Sequence, residues 1–564
     1  YAPEDQPIDR VVGLYAHATR YIYVSVYALT APSVVKALVE AKRRGVDVRV
    51  ITDRERLNDP KQHSAVNTLR LAGVPIRINR HDALMHLKQV VIDDAINTSG
   101  SANHTTSGNR YNDERLDVIT DARLTAKARE KFLTMWNDHE RFMTWTQWDE
   151  PRMGRAMIET DVAIVGAGGG GAVLALMLAQ QGVRSLVLER AAGPPQGLRG
   201  EILQPNGQRV LDRLGLLDKL PPHAVRSVRR FNFCRAGGER LCTVDYGELP
   251  APYNRALVTL PNVAHHAILD ALEQQNPGAL WYDATFTGLR FDGSRVIGLQ
   301  ATRHGEPVDI SARLVVGADG ALSKVRESLG ITAQLHRYPQ SYLIAILKAP
   351  PGFDEARYLV GKREILGLFP AAGQQVYAFY MIKAGSYEAV KAQGLEALRR
   401  AWVRIDPGME GMVQELVDWS QTGYMPTGRV KTDRWVADGA LLIGDAAHAM
   451  NPHASQGRMQ AMVDAVVVAD LIPGWLKKND FSAEALRAFE VARRPHVMML
   501  QRLADEQCRF WNTGNPVVAY LRDRVFRTLD RNARLRYRVL STTAGLRSRP
   551  PFSLLDRVMA AGLL

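Results

Sequence analysis

The run Asp161-Val162-Ala163-Ile164-Val165-Gly166-Ala167-Gly168-Gly169-Gly170-Gly171, continued by the apolar stretch Ala172 to Gln181, decides the fold of the larger part of this chain. Its short aliphatic run reads as a buried parallel strand and the stretch after it as a helix. Between them, G-x-G-x-x-G permits a tight turn and lets a pyrophosphate approach the backbone at the helix N-terminus. A second strand, Ser185 to Leu188, ends in Glu189, 18 residues beyond Gly171, where a carboxylate can accept from ribose hydroxyls. The spacing predicts a Rossmann-type dinucleotide site with Gly166, Gly168, Gly171, Glu189 and the adjoining Arg190. Gly169 and Gly170 read as flexibility alone.

Toward the N-terminus, Trp145 to Gly154 is polar and aperiodic, so a linker is expected at 149–157 between a domain at 1–148 and one beginning at 158. The length of 564 residues demands such a division, since a single core stops growing at roughly 250–300 residues. A composition of 46% hydrophobic and 23% charged residues excludes a disordered or fibrous chain. Three cysteines exclude a disulfide framework or a zinc cluster, and no metal site is predicted. Apolar runs such as Ala172 to Ala179 fall short of the ~20 residues of a membrane span. No signal peptide is visible, but the chain begins at Tyr1 rather than Met, so this says little about a removed leader.

The first 148 residues alternate strand and helix: strands at Tyr21 to Tyr27, Val46 to Thr52, Val74 to Ile78, Gln89 to Ile92 and Leu116 to Thr120, helices at Ser33 to Arg44 and Ala122 to His139. His86, Lys88, Asp93, Gly100, Ser101 and Asn103 form H-x-K-x4-D-x6-G-S-x-N. An imidazole can attack phosphorus and hold the phosphoryl group covalently. Lys88, two residues along an expected strand, shares a face with His86 and neutralises phosphate oxygens. Ser101 and Asn103 repeat that spacing as donors, and Glu114 is placed to fix the imidazole tautomer. Asp93 reads as a turn residue bonding backbone amides. Six specified positions at fixed spacing outweigh the plain reading of a surface His-x-Lys.

This motif, with Ala31 to Leu38 and Lys42 to Val48, resembles the phospholipase D superfamily over about residues 7–145, most closely its single-motif bacterial nucleases. The resemblance implies an α/β sandwich and metal-independent cleavage of DNA or another phosphodiester. It also implies a homodimer, because the family pairs two motifs and only His86, of 14 histidines, is followed two places later by Lys.

Further along, Val315-Val316-Gly317-Ala318-Asp319-Gly320 and Leu442-Ile443-Gly444-Asp445-Ala446-Ala447-His448 resemble two motifs of the FAD-dependent aromatic hydroxylases, the para-hydroxybenzoate and ubiquinone-biosynthesis type. This second resemblance covers about residues 158–500. It implies FAD held by Asp319, Gly320, Gly444, Asp445, Gly457 and Arg199 together with the glycine loop, NAD(P)H as co-substrate, and an inserted mixed-sheet domain for a small aromatic or lipophilic substrate. Met459 stands where the family has Asn, and His448 reads as orienting its loop. The apolar strands at Leu343 to Leu347, Ile365 to Phe369 and Val376 to Met381 suit a pocket floor.

The net charge of +13 is uneven: residues 1–150 carry 21 Lys and Arg against 20 Asp and Glu, whereas Arg487 to Arg549 holds 14 basic and 5 acidic residues. Nucleic-acid binding through this excess is a poor reading, because it lies far from the nuclease-like motif. A basic helical region is expected at 501–564, where Val525, Phe526, Leu529 and Leu540 lie among Arg522, Arg524, Arg527, Arg531, Arg534, Arg536 and Arg538. It reads either as a helix packed on the flavin domain or as a peripheral contact with an anionic membrane.

The combined expectation is an FAD-dependent monooxygenase acting on an aromatic or polyprenylated ring, fused to a phosphodiesterase working through a phosphohistidine. The alternatives are a flavin reductase or dehydrogenase carrying a degenerate dimerisation module, or a join of two unrelated proteins. The flavoprotein resemblance implies a cytoplasmic location, to which the basic tail adds the alternative of peripheral membrane contact, and the nuclease-like part alone implies a periplasmic or exported one.

Overall fold

Strands rich in β-branched residues alternate with amphipathic helices throughout the first unit of the computed structural model, whose described residues are 1–2, 4–81, 83–145, 157–198 and 201–560. The chain divides into two units, Tyr1–Gly154 and Arg155–Leu564.

In the first unit, the strands β1 (Tyr21–Val26), β2 (Asp47–Thr52), β3 (Ile76–Asn79), β4 (Lys88–Ile92), β5 (Ile96–Gly100), β6 (Leu116–Ile119) and β7 (Phe142–Thr144) form one sheet in the order β6-β5-β4-β1-β2-β3-β7. The β1–β2 and β2–β3 pairs are parallel and the others antiparallel. Alternation sets the two faces. Ile22, Val24 and Val26 pack against the helices Pro7–His17, Pro32–Arg43 and Pro60–Leu71. Tyr21, Tyr23 and Val91 pack with Phe132 and Met135 of the helix Ala122–Asn137 on the opposite side. The expected sandwich is thus present, with one local difference: β4 begins at Lys88, and His86 precedes it in a loop.

In the second unit, a parallel core runs Leu280–Trp281, Ser185–Leu188, Ile158–Val165, Glu306–Gly317, with Ala440–Leu442 against the last of these. The helices Gly169–Gln180 and Gly457–Lys478 pack on this sheet within one continuous apolar core. The inserted domain is a seven-stranded mixed sheet in the order Arg240–Asp245, Arg230–Arg235, Ala356–Val360, Ile365–Ala371, Gln375–Lys383, Gln340–Lys348, Thr422–Met425. One of its faces is aliphatic and covered by Trp402 and Ile405 of the helix Leu395–Ile405. The other is aromatic, carrying Tyr358, Phe369, Tyr377 and Phe379.

Two expectations need correction, and one alternative is settled in favour of packing. No break occurs at residue 500, because a single helix runs Ala483–Trp511. The helix Gly457–Lys478 is long and apolar enough to cross a membrane, which the sequence reading missed; half of its apolar stretch is buried inside the unit. The apolar side of the basic tail is spent internally, since Phe526, Leu529, Leu535 and Leu540 are buried against the inserted sheet. Several of its arginines pair within the unit: Arg522 with Asp523 at 2.9 Å, Arg527 with Glu239 at 2.7 Å, Arg536 with Glu248 at 2.7 Å, and Arg538 with Asp556. The expected linker falls mostly on 149–156, outside the described residues.

Candidate functional site

Parallel pairing brings Leu188, Val165, Gly317 and Leu442 side by side, as Val165 registers with both Leu188 and Gly317, and Gly317 with Leu442. The residues that follow these four strand ends are Glu189, Gly166 to Gly171, Ala318 to Gly320 and Ile443 to Asp445. Three motifs spread over 280 residues therefore meet at one sheet edge, the crevice where α/β sheets bind nucleotides.

The glycines are fixed by contact. Gly166 has φ +101°, and a Cβ there would stand 2.5 Å from the Ala318 carbonyl oxygen; a Cβ at Gly171 would strike the Gly166 carbonyl. Gly168, by contrast, has open space beside it and caps the helix Gly169–Gln180 without a side chain, leaving the first-turn amides for a ligand. Gly169 and Gly170 do more than loosen the loop. A Cβ at Gly170 would stand 3.0 Å from the Ala461 carbonyl oxygen, and one at Gly169 would stand 2.8 Å from Arg458 Cγ, so both allow the two helices to meet.

Glu189 accepts from the Ala167 amide at 2.9 Å and the Ala191 amide at 3.0 Å, which anchors its carboxylate beside the glycine loop. Arg190 follows it and is exposed. Asp319 sits at the same edge, but its carboxylate takes Ser323 Oγ at 2.5 Å and the Lys324 and Val325 amides at 2.7 and 3.1 Å, so it builds the turn around Gly320. Asp445 is exposed at the start of the short helix Asp445–His448, and Gly457 opens the helix Gly457–Lys478. Arg199 lies outside the described residues.

A buried polar network that the motifs do not show supports this edge. Asp464, fully buried, accepts from the Gly444 amide at 3.0 Å, His448 Nε2 at 2.5 Å and Arg493 Nε at 2.7 Å. Burial would raise the Asp464 carboxyl, but His448 and Arg493 outweigh it and hold the group below the usual carboxylate range. Arg493 also reaches Gln460 Oε1 at 2.5 Å; Gln460 donates to Gln456 at 2.7 Å, and Gln456 to the Thr543 carbonyl at 2.7 Å. Met459 is buried with its sulfur against Gly207, so it supplies no polar contact where the family has Asn. The loop before Gly457 meets the aromatic face: Tyr342 Oη lies 3.2 Å from His453 Nδ1, and the His453 ring packs 5.5 Å from Trp511. Burial drops the His453 imidazole to about 4.

The FAD binding domain family matches residues 159–504. The chain belongs to that family. Residues 12–136 match the family described as cardiolipin synthase, PLD-like domain. Among relatives of the FAD unit is 6-methylpretetramide 4-monooxygenase of Streptomyces rimosus, 30% identical over 64% of this chain and 87% of that protein. Kynurenine 3-monooxygenase of Salinispora arenicola is 30% identical over 61% of this chain and 78% of its own. In fold, the p-nitrophenol 4-monooxygenase PnpA of Pseudomonas putida superposes with a TM-score of 0.60 at 20% identity, covering 69% of this chain and all of that one. The FAD unit thus belongs with the family of FAD-dependent aromatic hydroxylases, and its open edge at Gly168, flanked by bonded Glu189 and exposed Asp445, fits the cofactor.

In the PLD-like unit, His86, Lys88, Ser101, Asn103 and Glu114 gather at one end of the sheet. Val26 registers with Lys88, and Gly100 with Leu116. His86 is exposed, and its ring packs 4.8 Å from that of Tyr27. Lys88 is buried, donates to the His86 carbonyl at 2.9 Å and lies 5.3 Å from the Tyr27 ring centre. Burial lowers its ammonium below the ordinary lysine range, with the charge of Glu114 opposing. The expected bond from Glu114 to the imidazole is not formed: Glu114 takes Asn112 Nδ2 at 3.5 Å and acts on Lys88 through its charge. Ser101 Oγ accepts from the Arg115 amide at 3.0 Å, and Asn103 Oδ1 from the Ala28 amide at 3.1 Å, so both oxygens serve the loops. Asp93 takes the Thr19, Arg20 and Tyr21 amides at 2.6, 2.8 and 2.8 Å, as a turn residue should.

Proposed function

We propose that the FAD unit hydroxylates an aromatic or polyprenylated ring, using NAD(P)H and O2. The observation that carries this reading is the convergence of Gly168, Glu189 and Asp445 on one sheet edge, next to a loop that touches the aromatic face of the inserted sheet. FAD supplies the redox chemistry when bound. The chain's part is to hold its diphosphate on the first-turn amides, to receive ribose hydroxyls at Glu189 and the ribityl chain at Asp445, and to lay an apolar ring against Tyr358, Phe369 and Trp511. Arg190, Asp319, Gly320, Gly444 and Gly457 shape or line that groove, and Arg199, outside the described residues, is assigned to FAD on the sequence resemblance alone. The test is the absorbance of the purified chain, with a flavin band near ~450 nm released on denaturation, followed by product analysis with NADH and NADPH on a panel of phenols. Reduced flavin without oxygenated product would assign a reductase instead.

For the PLD-like unit we propose phosphodiester hydrolysis in a homodimer. His86 of one copy attacks phosphorus and the leaving oxygen takes its proton from the second copy's imidazole; water then cleaves the phosphohistidine. Lys88, Ser101 and Asn103 face the phosphate and Glu114 helps to keep Lys88 charged. Plasmid cleavage in EDTA tests this. A cytoplasmic location accords with the NAD(P)H use proposed for the FAD unit, and the exposed arginines of the tail are where a membrane contact would form.

A further inference from the structure

Among the features that the motifs leave over, Arg458 is the one whose position the fold constrains most. It is the second residue of the helix Gly457–Lys478, and its stem lies directly over the α-carbon of Gly169. The position a Cβ would take at Gly169 is 2.8 Å from Arg458 Cγ, 3.2 Å from Nε and 3.4 Å from Cδ. Gly169 is the first residue of the helix on which the diphosphate is expected, so the guanidinium sits beside that helix's N-terminus. Neither helix start carries a side-chain cap. Each N-terminus contributes roughly half a positive charge, too little alone for a doubly anionic diphosphate. The field of Arg458 is felt in the loop's backing as well. His265, buried behind Ala167 and donating to its carbonyl, is held to about 3, first by burial and then by the charge of Arg458.

We infer that Arg458 is the cation that clamps the FAD diphosphate, closing over it from the second helix while the glycine loop holds it from the first. This rests on the FAD reading of the site. A guanidinium offers two parallel donors to phosphate oxygens, which a single helix end does not. It also gives Gly169 a reason to lack a side chain, since any Cβ there displaces the arginine's stem.

The test uses the full chain stripped of FAD, titrated with FAD, ADP and adenosine at low and high salt, with apo-protein melting measured in parallel. R458Q should weaken FAD and ADP by about ten- to a hundredfold, flatten their salt dependence and leave adenosine unchanged; R458K should recover part of the loss. Unchanged FAD and ADP affinity in R458Q, or an equal loss for adenosine, overturns the inference. If R458Q melts early, the R458K titration and the parent's salt dependence decide: ADP no more salt-sensitive than adenosine in the parent also overturns it. A parent that binds no FAD at all instead overturns the FAD reading.

Discussion

His86 and Asp93 belong to one motif and do separate work. The imidazole is exposed on a loop, whereas the Asp93 carboxylate is fully engaged with three successive amides. Replacing His86 by Ala should abolish plasmid cleavage in EDTA while leaving the melting of the PLD-like unit in place. Asp93→Ala should instead strand those amides and cost about 1–3 kcal/mol of stability, read by urea unfolding. Equal cleavage by the His86 variant would end the phosphohistidine proposal. In the FAD unit, Gly171→Val drives a side chain into the Gly166 carbonyl, and the expected outcome is loss of bound flavin together with a lower Tm.

Between helices, the bond network around Asp464 carries the argument. It ties the Gly444 loop to the long helices through Arg493 and Gln460, all out of water. Because the folded-state pKa of Asp464 lies below its unfolded value, its contribution is present above the ordinary carboxylate range and disappears as pH falls through the folded pKa. Asp464→Asn should therefore lower flavin retention at neutral pH and flatten the acid limb of a stability profile, measured by flavin release against pH. Little of this was legible in the sequence. The glycine loop, Glu189 and the strand ends could be read because turn geometry dictates residue type locally. The contacts Gly169–Arg458 and Gln456–Thr543 join residues 289 and 87 positions apart and leave no periodic or spacing signal. The same holds for the basic tail, where Arg527 and Arg536 pair with Glu239 and Glu248, 288 positions earlier in the chain.

Across the full chain, both units hold neutral buried histidines: burial drops His104 in the first, and His453 and His496 in the second, to about 4. The unfolded chain takes up protons near the ordinary histidine value of ~6.5 and the folded chain does not, so stability should fall as pH drops from there toward about 4. Calorimetry across that window checks it, and a flat profile would contradict the neutral assignments. The paired-motif proposal makes a different demand. Mixing parent with His86→Ala chains should lower cleavage as the square of the parent fraction, while flavin content per chain stays constant. A linear decline would place a complete phosphodiesterase site in one copy.

The bond from Gln456 to the Thr543 carbonyl gives the last fifty residues a meaning that their composition conceals. A chain shortened after Arg531 would retain every flavin motif and still lose a wall beside the flavin loop, with Leu535 and Leu540 gone from behind the aromatic sheet. Where such proteins are trimmed to a motif-defined minimum for expression, the piece discarded as an appendix is the piece that backs the aromatic sheet and holds Gln456.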